Sequence, residues 1–119
     1  MLSVAPQARV FLALDPVDMR GSFDALAGRV RRLGLDPLDG ALYVFVSKRK
    51  HLVKIVYFDG SGWVIHAKRL ERGTFELPVV ASGVDRVHVD GATLTALLGG
   101  VKLDAPRRRW YRRPVLAAK

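Results

Sequence analysis

Cysteine is absent from this chain of 119 residues, so neither disulfide bonds nor thiolate metal sites can stabilise its fold. A cysteine-free sequence suits a reducing compartment, and we expect a cytoplasmic protein. No apolar run approaches the roughly 20 residues that a membrane-spanning helix needs. The N-terminal residues also lack a cationic segment followed by an apolar run, so we expect no signal peptide.

Groups suited to catalysis are scarce too. The three histidines, His51, His66 and His88, are widely separated and fit no metal-ligand spacing. Asp15 and Asp18 could form a metal-binding carboxylate pair, but Asp15 precedes a proline and Asp18 suits a helix cap, so structural roles suffice. Neither a phosphate-binding loop nor a nucleophile motif is present. We therefore expect a protein that is not an enzyme and that needs no metal or cofactor.

Acidic residues are outnumbered by basic ones, 11 to 20, which gives a net charge of +9. The excess lies in two segments. Residues 48–72 contain seven Lys/Arg and two Asp/Glu, and residues 102–119 contain seven Lys/Arg and one Asp/Glu. Positive charge concentrated in particular segments is typical of proteins that bind a polyanion. The alternative interpretation is a solvated basic surface without a partner.

The stretch from 42 to 70 predicts the centre of the fold. β-branched, aromatic and other apolar residues dominate three runs, 42–46, 52–58 and 63–70, which are joined by two short connections. Connections this short force antiparallel neighbours, so we expect a three-stranded meander. If residues 59–62 form a four-residue loop, the cross-strand pairs are Phe58–Trp63, Tyr57–Val64, Val56–Ile65, Ile55–His66, Lys54–Ala67 and Val53–Lys68.

The flanking segments predict two helices and two more strands, the strands at 9–14 and 84–89. Asp18 suits the N-cap of a helix that runs to about Leu33, with Gly34 as its C-terminal stop. Asp90 suits the N-cap of a short helix over 91–98, which we expect to close one edge of the sheet. The fold class is therefore α+β: a small single domain at 1–101, with an antiparallel β-meander packed against one main helix, a short C-terminal helix, and an arginine-rich tail at 102–119.

Four blocks of sequence, at 18–26, 34–45, 54–63 and 68–75, together with Pro78, are similar to one bacterial family. They include Lys54-Ile-Val-Tyr-Phe-Asp-Gly-Ser-Gly-Trp63 and Lys68-Arg-Leu-Glu-Arg-Gly-Thr-Phe75. The chain resembles the TnpB-type accessory protein encoded by the second reading frame of bacterial insertion-sequence family sixty-six, which is distinct from the RNA-guided nuclease of the same name. The resemblance implies a part in transposition beside a separate transposase that performs strand transfer. Gly21-Ser22 replaces a common lysine-glycine pair, and the family is usually richer in arginine at 47–51.

The basic residues predict DNA binding, mainly through phosphates, because phosphate contacts dominate affinity and need no base register. A connection between two strands projects from the sheet, so the hairpin tip (residues 47–51) displays its cations well. In the tail, arginines around an aromatic pair can pair with phosphates and stack on bases; the alternative is a solvated extension. The candidate DNA-binding residues are Lys48, Arg49, Lys50, Lys54, Lys68, Arg69, Arg72, Arg107, Arg108, Arg109, Trp110, Tyr111, Arg112 and Arg113.

A second hypothesis is an interaction module that docks on the transposase without touching DNA. Its anchors would be Tyr57, Phe58 and Trp63 near the 59–62 turn, because aromatic side chains are favoured hot spots of interfaces. RNA is a third partner compatible with the same charges. The sequence predicts no oligomeric state, although an exposed edge of the meander could pair with a second copy.

Overall fold

The fold is an α+β domain built on a five-stranded mixed sheet. The computed structural model describes residues 5, 7–17 and 20–99. Along the chain the elements are β1 (Val10–Ala13), α1 (Phe23–Arg32), β2 (Leu42–Val46), β3 (Leu52–Phe58), β4 (Trp63–Arg69), β5 (Arg86–Val89) and α2 (Gly91–Leu98). The strand order is β4-β3-β2-β1-β5. This confirms the predicted fold class.

The meander of β2, β3 and β4 has the predicted register. All six predicted cross-strand pairs are present, from Phe58–Trp63 to Val53–Lys68. The turn at 59–62 is held by Asp59, whose carboxylate accepts hydrogen bonds from the backbone N–H groups of Ser61 and Gly62, each at 2.9 Å. These bonds favour the ionised form and lower the pKa of Asp59 below its ordinary value. The sheet is mixed because β1 lies parallel to β2, and α1 makes the crossover between them.

Both faces of the sheet are covered. On one face Leu26 and Val30 of α1 pack with Tyr43, Phe45 and Val56. On the other face the buried leucines of α2 pack with Phe75 and with inward residues of the strands, including Val10, Val44 and Ile55. The prediction that the short helix closes an edge is therefore wrong, because α2 covers the second face. Its three leucines need an apolar surface, and the all-apolar run of β2 supplies one on each face.

The main helix starts later than predicted and stops where predicted. α1 begins at Phe23 with Ser22 as its N-cap, so the predicted start at Asp18 is wrong; Asp18 itself lies outside the described residues. At the other end Gly34 has φ +80°. The Gly34 N–H donates to the Arg31 carbonyl at 2.9 Å and the Leu35 N–H to the Val30 carbonyl at 3.2 Å. These are the two bonds of a Schellman motif, which requires a left-handed residue after the helix.

Candidate nucleic-acid interface

The hairpin tip is a tightly bonded turn. The Ser47 N–H donates to the Leu52 carbonyl at 2.9 Å, and the Ser47 Oγ accepts from the Leu52 N–H at 3.2 Å. The Lys50 N–H donates to the Ser47 carbonyl at 2.9 Å, and Lys50 adopts a left-handed φ of +60°. This backbone is fixed by buried Ser47 while Lys48, Arg49 and Lys50 stay exposed. The cations are thus displayed on a turn that needs little further ordering.

The segment after β4 returns to this tip. The Leu70 N–H donates to the His51 carbonyl at 2.8 Å, and the Phe75 N–H donates to the Lys50 carbonyl at 2.7 Å. Phe75 is 1% exposed and lies in the core cluster under α2. The buried ring therefore fixes the loop that contains Arg72 beside the tip. This contribution of Phe75 was not foreseen from the sequence; its only signal is a lone aromatic residue in a polar, glycine-containing stretch.

Five exposed cations gather at this end of the sheet. Arg69 is the last residue of β4 and lies opposite Leu52, the first residue after the tip. We define the cationic end as Lys48, Arg49, Lys50, Arg69 and Arg72, all of which are exposed. Within residues 5, 7–17 and 20–99, none of the five has an ion-pair partner. Of the two acids in 48–72, Asp59 lies in the turn at the far end of β3 and β4, and only Glu71 lies beside the cationic end.

Two of the candidate residues, Lys54 and Lys68, form hydrogen bonds within the fold. The Lys54 ammonium donates to the Gly21 carbonyl at 3.1 Å, just before α1. The Lys68 ammonium donates to the Leu98 carbonyl at 2.6 Å, at the C-terminus of α2, where a cation also suits the helix dipole. The two side chains point to opposite faces of the sheet and are only partly exposed. The tail residues Arg107–Arg113 lie outside the described residues. Nucleic-acid contact by any of these residues stays a prediction.

The aromatic end lies at the 59–62 turn, away from the tip. The Phe58 and Trp63 rings meet edge to face, with centroids 5.4 Å apart. On the other face the Tyr57 hydroxyl lies 3.3 Å from Nε2 of His66. Trp63 packs with the core under α1 and Tyr57 with the core under α2, and all three aromatic residues are half-buried. These side chains stabilise the meander and leave only part of their surface for a partner.

A cleft that the sequence analysis did not identify lies where β1 and α1 end. It has a volume of about 230 Å³, with an apolar floor that includes Val17 and Phe45 and a rim of Arg29, Arg32, Asp15 and Asp85. Two arginines one turn apart on a helix would have been the signal for it. In the described part of the chain, no group of three or more His, Cys, Asp or Glu residues could hold a metal ion. Nor is any described helix long and apolar enough to cross a membrane.

The fold and the cationic end define a small α+β protein with exposed positive charge concentrated at one end of its sheet. Comparison with known proteins identifies the particular family: residues 8–108 match the model described as IS66 Orf2 like protein. The chain therefore belongs to this family, as the resemblance in the sequence had indicated. Membership indicates an accessory role in the transposition of insertion sequences.

Two similar proteins come from Sinorhizobium fredii (strain NBRC 101917 / NGR234). The one named Uncharacterized protein y4hO is 38% identical over 111 residues, which cover 92% of this chain and 95% of that protein. The one named Uncharacterized protein y4jC is 31% identical over 119 residues, which cover 99% of this chain and all of that protein. No solved structure matches the chain significantly.

Proposed function

We propose that this protein is a non-catalytic accessory factor for transposition that binds DNA through its cationic end. The observation that carries the proposal is the convergence of five exposed cations from two chain segments. Backbone hydrogen bonds from Leu70 to His51 and from Phe75 to Lys50 hold these segments together. Cations fixed in this way can meet an array of phosphates without first ordering a flexible loop.

Phosphates are the expected target within DNA. The cationic end has five exposed ammonium or guanidinium groups, and such groups bind phosphate oxygens without needing a base register. Each phosphate neutralised releases counterions and adds about −0.9 to the slope of log K against log salt. Five contacts therefore correspond to a slope of roughly −4.5 for one copy. The tail arginines would steepen this slope if they also bind.

The test is a salt titration of binding to a labelled duplex, measured by fluorescence anisotropy. The variant Lys48→Ala/Arg49→Ala removes two cations from the cationic end. The matched control, Arg31→Ala/Arg32→Ala, removes two exposed cations from α1. We expect the first variant to make the slope shallower by about 1.8 for each bound copy and the control to change it little. Equal losses would show that only net charge matters and would overturn the proposal.

The contribution of the tail is measured in the same titration with a chain that ends at Val101. A slope that becomes much shallower would assign most phosphate contacts to the tail. An unchanged slope would assign them to the cationic end. Competition by an RNA duplex of the same sequence then separates the two nucleic acids, because their groove shapes differ while their charges are alike.

Docking on the transposase remains the second candidate. It is favoured by the partly exposed aromatic end, where Phe58 and Trp63 form a pair next to a polar turn. Binding through such a surface would depend little on salt, since it would rest on apolar burial. If the full chain shows no salt-dependent binding to a duplex, a pull-down with the transposase and a Trp63→Ala variant is the measurement that follows.

A further inference from the structure

We infer that the protein self-associates through β4, which pairs antiparallel with β4 of a second copy, centred on His66. β4 is the outer strand of the sheet and pairs on one side only, with β3, in the described part of the chain. It is seven residues long, against four for β5 at the opposite edge. This inference concerns a different surface from the cationic end and does not depend on DNA binding.

The register of β3 and β4 fixes which backbone groups of β4 point outward. The Asp59 N–H donates to the Gly62 carbonyl and the Leu70 N–H to the His51 carbonyl, so Asp59–Gly62 and His51–Leu70 are hydrogen-bonded pairs. Hydrogen-bonded and non-hydrogen-bonded pairs alternate in an antiparallel ladder. Residues 64, 66 and 68 therefore bond to β3, and the N–H and C=O groups of 63, 65, 67 and 69 point away from it.

This edge has few of the features that prevent strand pairing. Natural edge strands are protected by proline, bulges, short length or charges. β4 contains neither proline nor glycine, and its seven pairs with β3 run without a bulge. Its charged residues, Lys68 and Arg69, come only at its end, so the first half of the strand offers an apolar, β-branched edge. Such an edge is suited to adding another strand.

One register uses all the outward groups. When His66 faces His66 of the second copy, residue 63 of each copy faces residue 69 of the other, and residue 65 of each copy faces residue 67 of the other. All four outward residues of each copy then form hydrogen-bonded pairs. Shifting the register between the two copies by two residues loses one hydrogen-bonded pair. Shifting it by one residue places the outward N–H and C=O groups of one strand opposite residues of the other strand whose groups point inward. The self-complementary register is therefore the one with the most hydrogen bonds.

Charge favours the antiparallel arrangement as well. Within β4 the aromatic residue Trp63 stands at one end and Arg69 at the other, on the same face of the sheet. Antiparallel pairing sets Arg69 opposite Trp63 of the second copy, where a cation–π contact can form. It also keeps the two Arg69 side chains about 20 Å apart along the strand, since six residues rise about 3.3 Å each. Parallel pairing would instead bring both cationic ends together.

The helices are compatible with a sheet joined in this way. α1 extends over β3 and β4, and its Cα atoms come within 8 Å of both strands. With strands about 4.8 Å apart, a two-fold axis beyond β4 would place the two copies of α1 about 10 Å from each other. That distance is the upper end of ordinary helix packing. α2 lies on the opposite face, in the cluster with β1 and β2 residues.

Disulfide trapping tests the register directly, because the full chain has no cysteine. His66→Cys places one thiol at the two-fold axis, in a non-hydrogen-bonded pair whose side chains lie close together. We expect a covalent dimer after mild oxidation. Val64→Cys and Lys68→Cys should form little dimer alone and a mixed dimer when combined. Ser61→Cys, exposed in the turn, is the control for random collision.

A proline substitution tests the edge itself. Ala67→Pro removes an outward N–H from an exposed position and leaves the bonds to β3 intact. The matched control is His88→Pro on β5. The Leu14 N–H donates to the Asp85 carbonyl, so Leu14–Asp85 is a hydrogen-bonded pair of β1 and β5. By the same alternation, the N–H of His88 points away from β1. Sedimentation should give twice the 13.2 kDa monomer mass for the parent chain and the control. We expect Ala67→Pro to raise the dimer dissociation constant at least tenfold.

Three results would overturn the inference: a monomer at every concentration, a dimer that Ala67→Pro leaves unchanged, or trapping by Ser61→Cys as efficient as by His66→Cys. A monomer at every concentration is expected if another segment of the chain covers β4, or if β4 pairs with another protein and not with a second copy. None of these measurements includes DNA. Their failure would therefore leave the proposed function of the cationic end standing, and the failure of DNA binding would leave the dimer standing.

Discussion

Replacing Lys68 separates its structural role from a role in binding. Lys68 Nζ donates to the Leu98 carbonyl at 2.6 Å, and its side chain is half-buried. A hydrogen bond from a charged donor contributes about 1.5–3 kcal/mol, and partial exposure places this one at the lower end. Lys68→Met keeps most of the stem and removes the donor. We expect a loss of about 1–2 kcal/mol from the free energy of unfolding.

That loss converts to a measurable change in Tm. A chain of this size has an unfolding entropy near 0.25 kcal/mol/K, so each kcal/mol shifts Tm by about 4 °C. Lys68→Met should therefore lower Tm by about 4–8 °C. The salt slope of duplex binding should stay within about 0.3 of the parent slope, because an ammonium bound to a carbonyl is not available to a phosphate.

Arg49→Met is the matched substitution at the cationic end. Arg49 is exposed on the tip and forms no side-chain bond within the described residues. Its replacement should change Tm by less than about 2 °C and make the slope shallower by about 0.9 for each bound copy. Thermal unfolding by circular dichroism and anisotropy titration measure the two quantities on the same samples. A Lys68→Met variant that flattens the salt slope by about one unit and leaves Tm unchanged would refute the structural role of Lys68.

Two further substitutions test the core around the site. The Tyr43 hydroxyl donates to the Asp39 carboxylate at 2.8 Å, and burial together with this bond raises the pKa of Tyr43 above its ordinary value of 10.0. The resulting stability is present below about pH 10 and is lost as the pH rises above it. In urea unfolding, the free energy of unfolding of Tyr43→Phe should therefore fall less steeply with alkaline pH than that of the parent chain. Phe75→Ala should lower the free energy of unfolding, measured in urea, by about 3 kcal/mol. At temperatures where the variant is folded, it should also weaken duplex binding, because the loop that contains Arg72 loses its buried anchor.

The register of the meander could be predicted because two local rules determine it. A four-residue turn built from Asp59, Gly60, Ser61 and Gly62 sets which residues face each other, and the alternation of side chains carries that pairing along both strands. The end of α1 could be predicted for a similar reason, since Gly34 suits the left-handed residue of its C-terminal motif. Both signals lie within a few residues of the structure that they determine.

The position of α2 and the partners of the lysines depend on contacts that the local sequence does not specify. Lys54 bonds to a carbonyl 33 residues away, and Lys68 to one 30 residues away. From the sequence these side chains look the same as Arg69, which is exposed. The uniformly apolar run of β2 did indicate that both faces are covered, but it did not specify which element covers the second face. Charge composition therefore indicates where cations concentrate, but not which of them are bonded within the fold.

Dimerisation through β4 would double the cationic surface that a duplex meets, which makes the two proposals testable together. From strand spacing and rise, each tip would lie roughly 20 Å from the two-fold axis, so the tips would be roughly 40 Å apart. One turn of duplex spans about 34–36 Å, so both tips could reach phosphates on one side of the DNA. Ala67→Pro should then cut the salt slope to roughly half and weaken binding through lost multivalency, while His88→Pro should preserve both. A slope that Ala67→Pro leaves unchanged, measured where the parent chain is dimeric, would show that each copy binds DNA alone.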